Sequence, residues 1–243
     1  MDSPGHRGDT FRLDGEEVPF APGETVLEAA TRAGRHVPHL CWAPGFAPHG
    51  SCRVCLVKVG TRTVAACSTR AAPGLDVTLA DEALTAQRKS VLQMLFVEGN
   101  HFCPSCEKSG HCRLQASAYA DGIEGPHFEE FYPDRPLDAS HPDLLLDFNR
   151  CILCGLCVRA SRQIDGKAVF ALGGHGIGSH LVVNSTTGRL ADSDVHPDDA
   201  AVGICPVGVI LKKRQGFAVA IGDRRYDRRT IADDEGGDAA GPA

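Results

Sequence analysis

Long apolar runs and blocks of one charge are missing from this chain. No stretch approaches the apolar length of a membrane span. No Lys/Arg block accompanies the formal charge of -6, so no basic face argues for nucleic-acid binding. Met1-Asp2-Ser3-Pro4-Gly5-His6 is polar and lacks the basic, then apolar, run of a signal peptide, which makes the cytoplasm the expected location. No Ser/His/Asp set or paired-carboxylate site can be argued. Gly173-Gly174-His175-Gly176-Ile177-Gly178 superficially resembles a phosphate-cradling loop, but it lacks the helix and acidic residue of a dinucleotide site and reads as a flexible loop.

What the chain has in excess is cysteine. Eleven of its 243 residues are Cys, against an ordinary 42% hydrophobic and 23% charged fraction. The length suits two compact domains, or one large one with sub-domains. A disulfide framework needs an oxidising compartment and usually an even count. The count is odd and no export signal is seen, so thiolate ligation of metal is the better reading.

The fold class expected is α+β. Phe11–Leu13 and Glu17–Phe20 flank Asp14-Gly15, a hairpin dipeptide. Thr25 caps a helix with Glu28 as capping-box partner, Leu27, Ala30 and Ala33 forming its apolar stripe and Gly34 its stop. Val54–Val59 and Thr63–Ala66 predict a second hairpin around Gly60, and Leu75–Leu79 a last strand. Strand pair, helix, cysteine loop and strands make a β-grasp order over residues 1–80. Asp81 starts a helix with Leu84, Val91, Leu92, Leu95 and Phe96 at helical spacing, ended by Gly99, within a helical segment 81–120. Residues 121–149, rich in Pro, Asp, Glu and aromatics, read as a linker or a wrapping segment between sub-domains. Residues 150–221 form the third unit, and 222–243 a flexible tail of charge, Gly and Ala.

The cysteines divide into three sets with iron–sulfur spacing, soft thiolates matching an iron–sulfide core. Cys41, Cys52, Cys55 and Cys67 combine single cysteines with a Cys-x-x-Cys pair, as plant-type [2Fe–2S] sites do. Zinc is the alternative for any four-cysteine set. Cys103, Cys106 and Cys112 leave a [4Fe–4S] cubane one ligand short. His101, two residues before Cys103, would share its face in an extended segment, and His111 is the rival. Cys151, Cys154 and Cys157, closed by the distant Cys205-Pro206, follow the bacterial ferredoxin pattern for a second [4Fe–4S] cluster. Eleven cysteines plus His101 make twelve ligands for three clusters, with no thiol left over. Arg53, Arg113, Arg150 and Arg159 adjoin these cysteines, where positive charge could raise a cluster's potential, or where each simply faces solvent.

These three sets in this order resemble the N-terminal region shared by the large iron–sulfur subunit of respiratory NADH dehydrogenase and its relatives, over roughly residues 10–215. With no further cysteine after Cys205, the chain looks like the small diaphorase subunits of soluble NAD-reducing [NiFe] hydrogenases. The resemblance implies an N-terminal β-grasp [2Fe–2S] ferredoxin domain, a helical His/Cys3 segment and a bacterial-ferredoxin-like [4Fe–4S] domain. It also implies a flavin/NAD-binding diaphorase subunit carrying FMN and NAD, with [NiFe] hydrogenase subunits, as partners in a hetero-oligomer. In the respiratory subunit the ligand histidine stands four residues before its first cysteine, whereas His101 stands two before Cys103. The function expected is electron relay, with no substrate-binding catalytic site in the chain itself. The alternatives are the same relay serving a formate dehydrogenase or NADH dehydrogenase, and a zinc-stabilised binding scaffold.

Overall fold

Asp14 and Gly15 turn the chain with φ of 51° and 85°, and their neighbours pair as β1 (Thr10–Leu13) and β2 (Glu16–Pro19). The computed structural model describes residues 9–125 and 127–237. The expectations for Met1–His6 and for residues 238–243 lie outside the described residues.

Thr25 and Glu28 cap α1 (Val26–Arg32) reciprocally: Thr25 Oγ1 accepts from the Glu28 amide, and Glu28 accepts from the Thr25 amide. The apolar face of α1 buries Val26, Leu27, Ala29 and Ala30 against Phe11, Leu13, Val57 and Val77. At ~1.5–3 kcal/mol for each large side chain fully withdrawn from water, this core dominates the energetics of the unit. The remaining strands are β3 (Leu56–Val59), β4 (Arg62–Ala65) and β5 (Asp76–Thr78). The five-stranded sheet runs β2-β1-β5-β3-β4, with β1 parallel to β5 and every other pair antiparallel.

Asp81 caps the helix α2 (Glu82–Glu98) by accepting from the Leu84 amide. Leu84 and Leu92 are fully buried, and Val91, Leu95 and Phe96 pack against the core. Arg88 also points inward on this helix. Its Nε donates to Asp121 at 2.8 Å, and Asp121 is the C-cap of α3 (Arg113–Ala120). This buried ion pair clamps α2 to α3, and the apolar pattern gave no sign of it.

The linker expected over 121–149 is corrected by β6 (Leu137–Asp138) and β7 (Leu144–Asp147). β7 is the central strand of a sheet ordered β10-β7-β6, with β10 at Ile210–Lys212. Leu144 and Leu146 are completely buried, so a short apolar run inside a Pro- and Asp-rich segment forms core. The third unit adds α4 (Leu156–Gln163), the antiparallel hairpin of β8 (Phe170–Gly173) and β9 (His180–Val183), and α5 (Ala200–Gly203). The glycine-rich 173–178 segment is the tip of that hairpin.

The flexible-tail expectation is also corrected over the described residues. The Tyr226 amide donates to Gly110 O at 2.9 Å, Arg224 pairs with Asp227 at 2.8 Å, and Ile231 at the start of α6 (Ile231–Gly237) is 1% exposed. One apolar anchor and a few directed bonds suffice to seat a charged segment. Among the described residues no helix is long and apolar enough to cross a membrane.

Candidate cysteine centres

The first set gathers on loops at one end of the five-stranded sheet. Cys52 and Cys55 precede β3, and Cys67 follows β4. All four sulfur-bearing residues, Cys41, Cys52, Cys55 and Cys67, are buried. Arg53, between the paired cysteines, takes φ of 54°, a left-handed turn uncommon outside glycine. The amides of Val54 and Leu40 donate to the Cys52 sulfur, those of Cys52 and Ser51 to Cys41, and that of Gly50 to Cys67. The sulfurs meet in two hydrogen-bonded pairs, Cys41 with Cys52 and Cys55 with Cys67. Cys52 keeps its proton because it donates to Cys41 and is buried, while Cys41, accepting that bond, falls to about 5. Two pairs of sulfur donors match the division of a two-iron core.

The third set repeats the device. In Cys151-Ile152-Leu153-Cys154-Gly155, Leu153 has φ of 53° and Gly155 of 67°. The turns direct the Leu153 amide to the Cys151 sulfur and the Leu156 amide to Cys154. Gly155 is the N-cap of α4, a left-handed position that glycine takes at no steric cost. Cys205 returns after α5, and the four sulfurs share a cavity whose other walls include Ile152, Leu172, Leu181, Val207 and Val209. Burial pushes Cys151 up to about 11 and Cys154 and Cys157 higher still.

The second set is more open: Cys103 and Cys106 are half-buried and Cys112 is buried. Pro104 shapes a short 3-10 turn at Cys103–Ser105. Cys112 is the N-cap of α3 without a side-chain cap hydrogen bond, and burial lifts its thiol to about 12. The two histidines differ. His101 Nε2 is buried with no hydrogen-bond partner among the described residues. Burial, then the charges of Arg150 and Arg135, lower its pKa to about 4, so the ring is neutral. Its edge meets Phe96 at 5.6 Å between centroids. His111 Nδ1 already accepts from the Arg225 amide at 3.4 Å.

Two of the flanking arginines are tied into the centres, and a third holds His39. Arg159 donates to Cys41 O at 2.6 Å and to Cys154 O at 3.4 Å, joining the first and third sets. Arg150, beside Cys151, donates to Cys106 Sγ at 3.5 Å and Gly208 O at 3.4 Å, joining the third and second. Arg113 bonds to the buried His39 at 2.7 Å. Sequence reasoning missed His39 and Glu107, the latter an ion-pair partner of Arg150 at 2.9 Å. Their partners lie dozens of residues away, so no local signal marks them.

The donors fit iron–sulfur clusters. All eleven cysteines are free, and most are buried where a bare thiolate is costly, so each centre calls for a cationic core to offset the charge. Turned amides on the sulfurs supply the outer contacts such clusters use. Among the described residues no three His, Cys, Asp or Glu side chains close on a single-ion position. A tetrahedral zinc at ~2.3 Å from each sulfur would need that convergence.

Comparison with known proteins agrees. Residues 10–82 match the 2Fe-2S iron-sulfur cluster binding domain family. Residues 88–127 match the NADH-ubiquinone oxidoreductase-G iron-sulfur binding region, and 142–211 the ferredoxin-like domain of NADH-quinone oxidoreductase subunit 3. The chain is 37% identical to the NAD-reducing hydrogenase HoxS subunit gamma of Cupriavidus necator, over 90% of this chain and 93% of that one. It belongs to that subunit's family. A chain in a crystal structure of NAD+-reducing [NiFe]-hydrogenase in the H2-reduced state is 54% identical to it. That match has a TM-score of 0.89 and covers 93% of this chain and 98% of that one. The alpha subunit of the NADPH-Fe(3+) oxidoreductase of Geobacter sulfurreducens is 29% identical, over 84% of this chain but 24% of its own length. Members of the family thus hold iron–sulfur centres, and the mixed α/β architecture described above is theirs.

Proposed function

We propose that this chain is the electron-transfer iron–sulfur subunit of an NAD-reducing hydrogenase, relaying electrons between a [NiFe] module and a flavin/NAD diaphorase subunit in a hetero-oligomer. The observation that carries this is the array of three sets of free cysteines, buried or half-buried, with amides turned onto the sulfurs of the first and third sets. Likeness to the HoxS gamma subunit over nearly its whole length favours a hydrogenase module over a formate dehydrogenase.

On this reading Cys41, Cys52, Cys55 and Cys67 hold a [2Fe–2S] cluster in a β-grasp domain, a reading supported by the β2-β1-β5-β3-β4 order. Cys103, Cys106, Cys112 and His101 hold one [4Fe–4S] cluster, and Cys151, Cys154, Cys157 and Cys205 another. The buried, unpartnered Nε2 favours His101 over His111 as the fourth ligand of the second set. When bound, the clusters supply one-electron chemistry. The chain's own work is to exclude water with the apolar walls around each set, to place hydrogen bonds on the sulfurs, and to fix the spacing between sets. Arg159 ties the first set to the third and Arg150 the third to the second, which supports a relay with the third set in the middle.

Purification with its partners, followed by metal and sulfide analysis, tests the proposal. About ten irons per chain with acid-labile sulfide, a co-purifying nickel subunit and hydrogen-dependent NAD+ reduction are expected. A colourless chain holding zinc without sulfide would sink the relay reading. A molybdenum- or tungsten-containing partner instead of a nickel one would move it to a formate dehydrogenase.

A further inference from the structure

The guanidinium of Arg150 is held by four contacts. Nε pairs with Asp147 at 2.8 Å, and Nη1 meets Glu107 Oε2 at 2.9 Å, Gly208 O at 3.4 Å and Cys106 Sγ at 3.5 Å. Asp147 ends β7 and Gly208 follows Cys205, so the side chain is rooted in the third unit while its tip rests on a sulfur of the second set. The approach depends on Gly208. A Cβ there would stand 3.1 Å from Cys106 Sγ and 3.2 Å from Arg150 Nη1, closer than those atoms can tolerate without moving. Arg159 and Arg113, by contrast, direct donors at carbonyls and at His39.

We propose that Arg150 is a positioning residue that raises the reduction potential of the centre at Cys103, Cys106 and Cys112. It does so by holding a charged N–H on the Cys106 sulfur. This rests on the cluster assignment given above. Reduction adds one electron to a core already ligated by anionic sulfurs. A fixed positive donor stabilises the extra charge more than it stabilises the oxidised form, and a hydrogen bond to sulfur acts in the same direction. Arginine keeps its charge at every working pH, so the effect involves no proton exchange. The side chain is 17% exposed, so water screens the charge only in part. Glu107 opposes the effect as a competing anion on the same nitrogen, and Asp147 serves as the anchor. The third centre, whose Cys151 adjoins Arg150 in sequence, feels the charge without a hydrogen bond from it to a sulfur.

EPR-monitored redox titration of the purified complex tests this, with Arg150→Gln, Arg150→Lys and Glu107→Gln compared with the parent. Arg150→Gln lowers the reduced-to-oxidised ratio of the second centre by about tenfold at fixed potential, a downward shift of about 59 mV for one electron. The third centre moves less and the first not at all, while Arg150→Lys recovers part of the shift. A second-centre midpoint that stays put with its signal intact overturns the proposal, as does an equal shift of all three centres. If Arg150→Gln does not retain its iron, Glu107→Gln decides: an upward shift of the second centre supports the role, and an unmoved or lower midpoint overturns it. A parent complex without iron–sulfur signals would instead refute the cluster assignment itself.

Discussion

The first and second cysteine sets solve the same problem differently. The first is sealed: its four cysteines are buried, its sulfurs bond to one another and to backbone amides, and among the described residues its one guanidinium contact, Arg159, goes to a carbonyl. The second is assembled from a helix end and a loop, with Cys103 and Cys106 half-open and charged side chains around them. These are Arg150 and Glu107 beside Cys106, the Arg88–Asp121 pair behind α3, and the Arg224–Asp227 strap over Gly110. A centre held by backbone and packing resists side-chain change except at its ligands. A centre held by charges can be adjusted, or dislodged, from several neighbouring positions.

Loss of a ligand sets the largest expected contrast. Cys52→Ser removes one sulfur from a buried pair; on the proposed assignment the first set then loses its [2Fe–2S] cluster and iron content falls by about two per chain. The two [4Fe–4S] EPR signals persist. Retention of the [2Fe–2S] signal would show that the sealed set does not depend on each of its sulfurs.

Asp121→Ala is the next. It strands the buried Arg88 guanidinium between α2 and α3, and breaking a buried pair from one side costs ~3–5 kcal/mol. Denaturant unfolding should show that loss, accompanied by preferential bleaching of the second centre. A loss below ~1 kcal/mol would mean that water reaches Arg88 and that the pair is not a clamp.

The smallest effect is local. Arg224 holds the Asp227 carboxyl well below the usual carboxylate range. Because the folded value is depressed, the pairing contributes fully above the unfolded value near 4 and is lost as pH falls through the lowered one. The strap should therefore keep its grip on Gly110 across the neutral range, and Asp227→Asn should loosen it at pH 7. Hydrogen exchange then quickens at residues 108–113 and 224–231 while the first set is unaffected. Unchanged exchange there would show that Ile231 alone seats the strap.

Much of this was readable along the chain. Asp14-Gly15 predicts its turn because both residues accept positive φ, and Thr25 with Glu28 predicts a capped helix because the reciprocal bonds span three residues. The three cysteine sets follow from donor type and spacing. Other features were hidden. Leu144 and Leu146 sit within a segment whose Pro and Asp content reads as a linker, although they carry the central strand of a sheet. Arg88 occupies an inward position on α2 that apolar periodicity cannot explain without Asp121, 33 residues away. A tail of Arg, Asp and Gly looks unable to dock, because nothing local shows that Ile231 is buried against α3.

The amino-acid order by itself settled the inventory of the centres: eleven sulfur donors, candidate imidazoles, and Cys-x-x-Cys turns whose amides fold back on their own sulfurs. Those are properties of residue type and of contacts two or three positions apart. Folding in three dimensions decided that the guanidinium of Arg150 rests on Cys106, 44 residues away, and that Arg159 spans two sets. It also left His101 Nε2 buried without a partner while His111 is engaged. Such choices depend on which distant segments packing brings together, and on which polar atoms remain unmatched once it has done so.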